Sequence, residues 1–365
     1  MLQKTAEKNS NVIDIEEKLN LSQEQKNVVS LIDNDENVFI TGPAGTGKSH
    51  LLSYLREFYN ELPVTSTTGI SAVNVQGTTI NSWAGLGLCD KPAKTIANSI
   101  LFGESTRCFE NIVNSTKLAI DEISMLSADN FDLIDTVFRH VRNIDKPFGG
   151  IQLILFGDFL QLPPIDKTKN APKFAFEADA WTEARIKAVA LNQSHRQKDP
   201  EFDEVLRSIR VGECTPKVSA LLNSCYKKED TDPSIKPVVL HPKNINVDIE
   251  NESMLKMIPG DTITYMALSG CVEGHYNNEA MLKKNCLAPE NLQLKVGAQV
   301  MLLRNLNITA NLVNGAVGEV VECNKGKAPV VEFGSAENKT KIPLQQVTWE
   351  IKNESEKVVA WYVQY

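Results

Sequence analysis

Gly42-Pro43-Ala44-Gly45-Thr46-Gly47-Lys48-Ser49 fits the pattern G-x-x-x-x-G-K-[ST]. It stands between an apolar run, Asn37-Val38-Phe39-Ile40-Thr41, and a helical stretch through Leu51, Leu52 and Leu55. Strand, glycine loop and helix in that order confine the chain to an α/β fold, because such a loop works where backbone N–H groups converge at a helix N-terminus beside a sheet edge. Glycines let those amides turn inward on phosphate oxygens, a lysine in this position reaches the β/γ-phosphates, and the following hydroxyl ligates Mg²⁺. Gly42, Gly45, Thr46, Gly47, Lys48 and Ser49 are therefore the candidate cradle for a nucleotide.

The flanking sequence repeats the same rhythm. Pro63 to Thr67, Lys117-Leu118-Ala119-Ile120 and Ile151-Gln152-Leu153-Ile154-Leu155-Phe156 are short apolar runs separated by helical patterns, which predicts a parallel sheet. Ser127 can cap a helix whose Phe131, Ile134, Phe138 and Val141 recur at helical spacing. A strand at Leu191 to Ser194, a helix opened by Asp199-Pro200, a strand at Val238-Val239-Leu240 and a helix from about Asn244 to Met257 predict a second α/β unit starting near residue 190. After about residue 290 the runs become short strands, with Asn314-Gly315 as a tight-turn signal, which predicts a small all-β module.

Two strand ends carry chemistry. Asp121-Glu122 closes the run Leu118-Ala119-Ile120, at the carboxyl edge where α/β sheets bind ligands. Asp121 is the candidate Mg²⁺ holder, and Glu122 the group that orients and deprotonates an attacking water. Gly157-Asp158-Phe159-Leu160-Gln161-Leu162-Pro163-Pro164 ends the next strand, and Gln161 becomes a candidate γ-phosphate sensor because its amide both donates and accepts. His50, His140 and His275 read as ordinary helix or surface histidines, and Trp181 as a core residue.

Composition narrows the partners. Among 365 residues, 38 Lys and Arg against 46 Asp and Glu give a net charge of −8, which argues against a protein that coats nucleic acid through bulk positive charge and leaves room for a local groove. The seven cysteines lack any C-x-x-C pairing, so neither structural zinc nor a disulfide framework is expected. The first twenty residues form a polar, mostly acidic tail without the apolar core of a signal peptide, and no apolar run reaches 18 residues. The expectation is an intracellular protein in a reducing compartment, with no membrane span: cytoplasmic if bacterial, nuclear or mitochondrial if eukaryotic.

These segments together resemble the Pif-type DNA helicases, RecD-related members of superfamily 1B. Leu21-Ser22 with Gln25 is similar to the family's Q-motif, whose glutamine reads adenine. Thr67-Thr68-Gly69-Ile70-Ser71-Ala72 and Gly77-Thr78-Thr79-Ile80-Asn81-Ser82-Trp83-Ala84-Gly85 resemble segments that touch single-stranded DNA. Asp121-Glu122-Ile123-Ser124-Met125 resembles motif II, and Pro147-Phe148-Gly149-Gly150-Ile151-Gln152 running into residues 157–164 resembles the Pif signature and motif III. Ser194-His195-Arg196-Gln197 is similar to motif IV, whose arginine approaches the γ-phosphate from the second RecA-like domain. Leu240-His241-Pro242 and Leu294 to Gly315 resemble later segments leading into an SH3-like 2B insertion.

The resemblance implies a P-loop NTPase with RecA-like parallel sheets. Its parts would be a tail over 1–20, domain 1A over 21–190 with a small 1B insertion near 67–90, a partial domain 2A over 191–295, and an SH3-like region over 296–365. It implies ATP and Mg²⁺ as cofactors and catalytic roles for Lys48, Glu122, Gln161 and Arg196. Adenine would be read by Gln25, and DNA contacted by Thr68, Asn81, Trp83 and His241. Asn81 stands where the family usually has His and Trp83 where it has Phe; an amide can still bond phosphate, and an indole can still stack on a base.

The implied activity is 5′→3′ translocation on single-stranded DNA or a forked duplex by a monomer, in repair, recombination or telomere maintenance. The sequence ends at Tyr365, before the family's motif V with its His-Lys-Ser-Gln-Gly and before motif VI. That leads to the expectation of an incomplete second sheet with an exposed apolar face. An alternative is thus a module that binds ATP and single-stranded DNA without productive unwinding. A P-loop remodeller of proteins is a third reading, disfavoured by the 157–164 segment.

Overall fold

The structure is a computed structural model that describes residues 21–103, 106–164, 173–197, 199–226, 238–286, 288–303, 306–307, 312, 315–334, 339–352 and 357–365. The tail over 1–20 and the Asn314 half of the expected turn lie outside the described residues. The chain divides into two compact units, Met1–Tyr226 and Lys227–Tyr365.

The first unit is built on a six-stranded sheet. Its strands are β1 (Val38–Thr41), β2 (Val64–Ser66), β3 (Thr78–Thr79), β4 (Lys117–Asp121), β5 (Gln152–Phe156) and β6 (Lys187–Ala190), in the order β3-β2-β4-β5-β1-β6 with every pairing parallel. Parallel strands covered on both faces read as continuous apolar runs, and every residue of β5 is buried. Side chains alternate between faces. Phe39, Leu118, Ile120, Leu153 and Leu155 enter one core cluster, whereas Val38, Ile40, Ala119, Ile154 and Phe156 enter the other. The helix Ala128–Arg142 begins as its sequence predicts: Ser127 Oγ accepts from Asn130 N, and Phe131, Ile134, Phe138 and Val141 are buried. Because all six strands run the same way, Thr41, Ser66, Asp121 and Phe156 end at one edge of the sheet.

Local structure departs from expectation in several places. Residues 191–194 form no strand, and neither do Val238, Val239 and Leu240, which lie 57%, 59% and 89% exposed. The apolar Val238 to Leu240 suits a strand, but among the described residues no neighbouring strand supplies it a hydrogen-bonding edge. After β6, Leu191 N still donates to Thr41 O at 2.8 Å, and the polar Asn192, Gln193 and Ser194 carry no further strand. Within 67–90, β3 pairs with β2 and continues the main sheet as its edge strand. Residues 191–226, with the helices Pro200–Arg210 and Pro216–Cys225, belong to the first compact unit, so the units part well past residue 190.

The second unit is β-rich from residue 263 onward. Its strands are β7 (Ile263–Met266), β8 (Leu268–Cys271), β9 (Asn291–Leu294), β10 (Gln299–Met301), β11 (Val317–Glu322), β12 (Val330–Phe333), β13 (Thr340–Pro343), β14 (Val347–Lys352) and β15 (Val358–Gln364). Antiparallel pairings give sheets ordered β10-β11-β12-β13, β14-β15-β8 and β7-β9. Tyr265, Leu294, Val320, Val331 and Phe333 form the core, and the buried Gln364 donates to Tyr265 O and Pro289 O. Since β15 pairs with β8, this β-structure reaches back before residue 296. The helix Asn244–Met257 precedes it with no buried residue among those described.

Candidate nucleotide site at the carboxyl edge of the parallel sheet

The glycine loop leaves β1 at Thr41 and enters the helix Lys48–Phe58. Gly45 and Gly47 hold φ of 85° and 86°, and a Cβ on either would meet Arg196 Cβ or Gln25 Nε2 at 2.7 Å. Both the backbone conformation and the close approach thus demand glycine. Thr46, buried, donates its hydroxyl to Pro43 O at 2.9 Å and stiffens the loop. Lys48 Nζ donates to Gly42 O at 2.6 Å and Pro43 O at 3.0 Å, lying across the loop's own carbonyls. Burial lowers its pKa below the ordinary lysine value, while Asp158, Glu122 and Asp121 resist the shift. A half-buried ammonium held on carbonyl oxygens is a cation suited to exchange them for phosphate, so the loop fits the group its sequence implies.

Gln25 is 2% exposed and closes a capping box. Its Oε1 accepts from Ser22 N at 2.9 Å, Ser22 Oγ accepts from Gln25 N at 3.2 Å, and Gln25 Nε2 donates to Gly47 O at 3.2 Å. The helix start Gln23–Asp33 is thereby fastened to the loop. One N–H and one oxygen lone pair of the amide remain for a base edge.

Asp121 and Glu122 end β4 as expected from the apolar run before them. Glu122 takes φ 55° and ψ 42°, the left-handed region that a residue with a Cβ seldom occupies. The turn is held from β2's end, where Thr67 Oγ1 donates to Glu122 O at 2.9 Å and Ser66 Oγ to Asp121 O at 3.2 Å. Burial pushes the Asp121 carboxyl up to about 6, opposed by the Glu122 amide and by Lys48. A desolvated carboxylate facing a lysine and a second acid is suited to share a divalent cation with Ser49 in the first turn of the Lys48–Phe58 helix.

Beyond β5, Gln161 Nε2 donates to Asp158 Oδ2 at 3.2 Å. Asp158, 2% exposed, also accepts a two-pronged bond from Arg210, with Nε to Oδ2 and Nη2 to Oδ1 both at 2.8 Å. Burial alone would raise its pKa; Arg210, the Leu160 amide and Gln161 outweigh burial and hold it below the ordinary carboxylate range. Arg210 escapes sequence reasoning because nothing local connects the last turn of one helix to an aspartate 52 positions away.

His195 N donates to Gly45 O at 2.8 Å, and the exposed Arg196 lies against Gly45. Arg196, expected from the second RecA-like domain, stands in the first compact unit on a segment that follows β6.

The DNA-contact candidates fare differently. Thr68 Oγ1 bonds Ser71 Oγ and accepts from Ser71 N, capping the helix Gly69–Asn74. Asn81 Nδ2 donates to Gly87 O at 3.0 Å within its own turn. Trp83 is 9% exposed, in the core cluster and 6.0 Å from Phe138, a setting that suits packing better than stacking on a base. His241 belongs to the second unit, where its buried Nε2 has no hydrogen-bond partner among the described residues. Trp181 is a core residue, packing against Phe39 and Phe131. Among the described residues no His, Cys, Asp and Glu cluster forms a metal site, and no helix is long and apolar enough to cross a membrane.

A parallel RecA-like sheet with a glycine loop, an acidic strand end and a glutamine-bearing loop at one edge defines a P-loop nucleotide-binding protein. The family model described as PIF1-like helicase matches residues 20–219, and that of the DNA helicase Pif1 2B domain matches residues 278–323. The chain belongs to the PIF1-like helicase family. It is similar to the ATP-dependent DNA helicase PIF1 of Saccharomyces cerevisiae (strain YJM789), 40% identical over 314 residues, which cover 83% of this chain and 36% of that protein. The Homo sapiens protein of the same name is 37% identical over 320 residues, 86% of this chain and 48% of its own. The chain thus spans less than half the length of these relatives.

Among solved structures, the Pif1 helicase from Candida albicans matches with a TM-score of 0.78 at 29% identity, covering 94% of this chain and 83% of that one. Bacteroides sp Pif1 in complex with ADP-AlF4 matches with a TM-score of 0.69 at 27% identity, covering 94% and 80%.

Proposed function

We propose that this chain is the ATP-driven motor portion of a DNA helicase that moves 5′→3′ on single-stranded DNA and serves genome maintenance. The observation that carries the reading is the seat of Lys48 Nζ on the carbonyls of Gly42 and Pro43, at the sheet edge where β4 ends in Asp121 and Glu122 and β5 leads into Asp158. Such a constellation suits a bound triphosphate, whose negative charge would draw Lys48 off the carbonyls of Gly42 and Pro43.

Gly42, Gly45, Thr46 and Gly47 would present backbone amides to the phosphates, and Gln25 would read adenine from its seat beside Gly47. Ser49 and Asp121 would hold Mg²⁺, which supplies charge neutralisation and orientation on the phosphate oxygens when bound. Glu122 would orient a water and take its proton, Gln161 would leave Asp158 to meet the γ-phosphate, and Arg196 would add positive charge beside Gly45. Alternation of nucleotide states would then change the grip on DNA, with Thr68 and Asn81 near β2 and β3, and His241, as the contacts to test. Solved relatives described as Bacteroides Pif1 bound to ssDNA and as two coordinating Pif1 helicases at forked dsDNA support the choice of substrate.

A second reading, an ATP- and DNA-binding module without productive unwinding, is favoured by the Asn244–Met257 helix, which has no fully buried residue among those described, and by Val238 to Leu240, which join no strand among the described residues. Phosphate release with and without single-stranded DNA separates the two. The motor reading expects strong stimulation by DNA, abolished in Glu122→Gln; DNA binding with no stimulated release supports the module.

A further inference from the structure

The exposed arm that carries Arg196 is secured to the nucleotide site at several points, and one of them is buried. Asp158 keeps 2% of its surface, so its charge must be met inside the protein. Four donors meet it: Arg210 Nη2 and the Leu160 amide on Oδ1, Arg210 Nε and Gln161 Nε2 on Oδ2. Arg210 alone supplies a full positive charge in the planar two-pronged geometry that fixes a carboxylate's orientation as well as its charge. The plane of Asp158 in turn sets where Gln161 rests.

Arg210 closes the helix Pro200–Arg210, whose first turn is capped by Asp199 Oδ1 accepting from Glu201 N and Phe202 N. One turn earlier, Arg207 Nη2 donates to Asn192 O at 2.7 Å, tying that helix back to the start of the arm. The arm's next residues reach the loop through His195 N and Gly45 O. Helix, arm and glycine loop therefore form a closed circuit, and the Asp158–Arg210 pair is the link that joins it to the loop bearing Gln161.

We propose that Arg210 is a positioning residue of the nucleotide site: through Asp158 it sets the approach of Gln161 and binds the Arg196 arm to the same loop. The inference rests on the nucleotide reading above. When Gln161 swings to a γ-phosphate it gives up one of the four bonds on Asp158, and the Arg210 fork keeps the carboxylate from following. Without the fork, the carboxylate would be free to turn with Gln161, and the amide would lose its aim. Lysine at 210 would keep the charge but supply no planar fork.

The test measures DNA-stimulated ATP turnover by the 365-residue chain, wild type and the variants Arg210→Ala, Arg210→Lys, Asp158→Asn and the double Arg210→Ala/Asp158→Asn, with thermal melts to normalise to the folded fraction. A group that aims a transition-state contact lowers kcat with KM nearly unchanged, so Arg210→Ala is expected to lose about tenfold or more in kcat. Arg210→Lys should recover part of it, and the double variant should be little worse than either single, because both remove one unit. Wild-type kcat and KM in folded Arg210→Ala, or losses that multiply in the double variant, would overturn the inference and leave the nucleotide reading intact. Turnover by wild type that Lys48→Ala does not diminish, or no turnover at all, would overturn both.

Discussion

Asp121 works against the stability of the fold that carries it. Burial lifts its carboxyl from 3.8 to about 6, so the folded state holds the proton more tightly than the unfolded chain. Stability then falls as pH rises from about 4 to about 6, and the whole penalty is present above that window. Asp121→Asn keeps the shape without the charge. In metal-free buffer at neutral pH it should melt above wild type, by roughly 1–2 kcal/mol of stability, with the gap closing toward pH 4 and turnover lost throughout. Melting curves across that range check it; coincident curves at neutral pH would contradict the assignment. At Trp83 the sign reverses. A core indole replaced by alanine costs about 3–5 kcal/mol, so Trp83→Ala should lower the melting temperature sharply. Affinity of its folded fraction for single-stranded DNA should stay at the wild-type value, whereas a base-stacking role would show as weaker binding at unchanged stability.

Among elements, those legible in the sequence are the ones whose signals are local. β1, β4 and β5 follow from unbroken apolar runs, the Ala128–Arg142 helix from its cap and spacing, and the nucleotide loop from its glycines and Lys48. Residues 238–240 carry an apolar run and form no strand, because a strand exists only where a partner edge does, and among the described residues none is supplied there. The packing of Trp83 is hidden for a related reason: an aromatic that stacks on a base and an aromatic in a core look alike in sequence, and the contact with Phe138 of the helix Ala128–Arg142 is long-range. The bonds that hold the 191–197 arm are equally invisible, being long-range. Glu24 accepts from Asn192 N at 2.8 Å and Asn192 Nδ2 at 3.3 Å, one residue away from the glutamine that fastens Gly47. Glu24→Ala should therefore speed amide hydrogen exchange at Asn192 and His195 while leaving the amides of β4 and β5 protected. Unaltered exchange at both arm positions would show that Glu24 does not hold the arm.

At the scale of the molecule, the two units differ in what they were built to do. The first concentrates its candidate chemistry at one edge of a sheet with a core cluster on each face, where parallel strands bring the loop of Lys48, the end of β4 at Asp121 and the loop of Asp158 to the same side. The second surrounds a smaller core with antiparallel pairs. Its helix Asn244–Met257 buries no described side chain fully, Leu255 alone among them reaching the core cluster, so its amides should exchange much faster than those of Ala128–Arg142. The net charge of −8 is compatible with the proposed motor, which would grip few phosphates at a time and release them. All of this depends on a triphosphate occupying the loop at residues 42–49. The most direct measurement is equilibrium binding of a fluorescent ATP analogue to wild type and to Lys48→Ala. The account predicts saturable binding at one site per chain in wild type, displaced by ATP and lost in the variant. Equal binding by both proteins, or none by wild type, would contradict it.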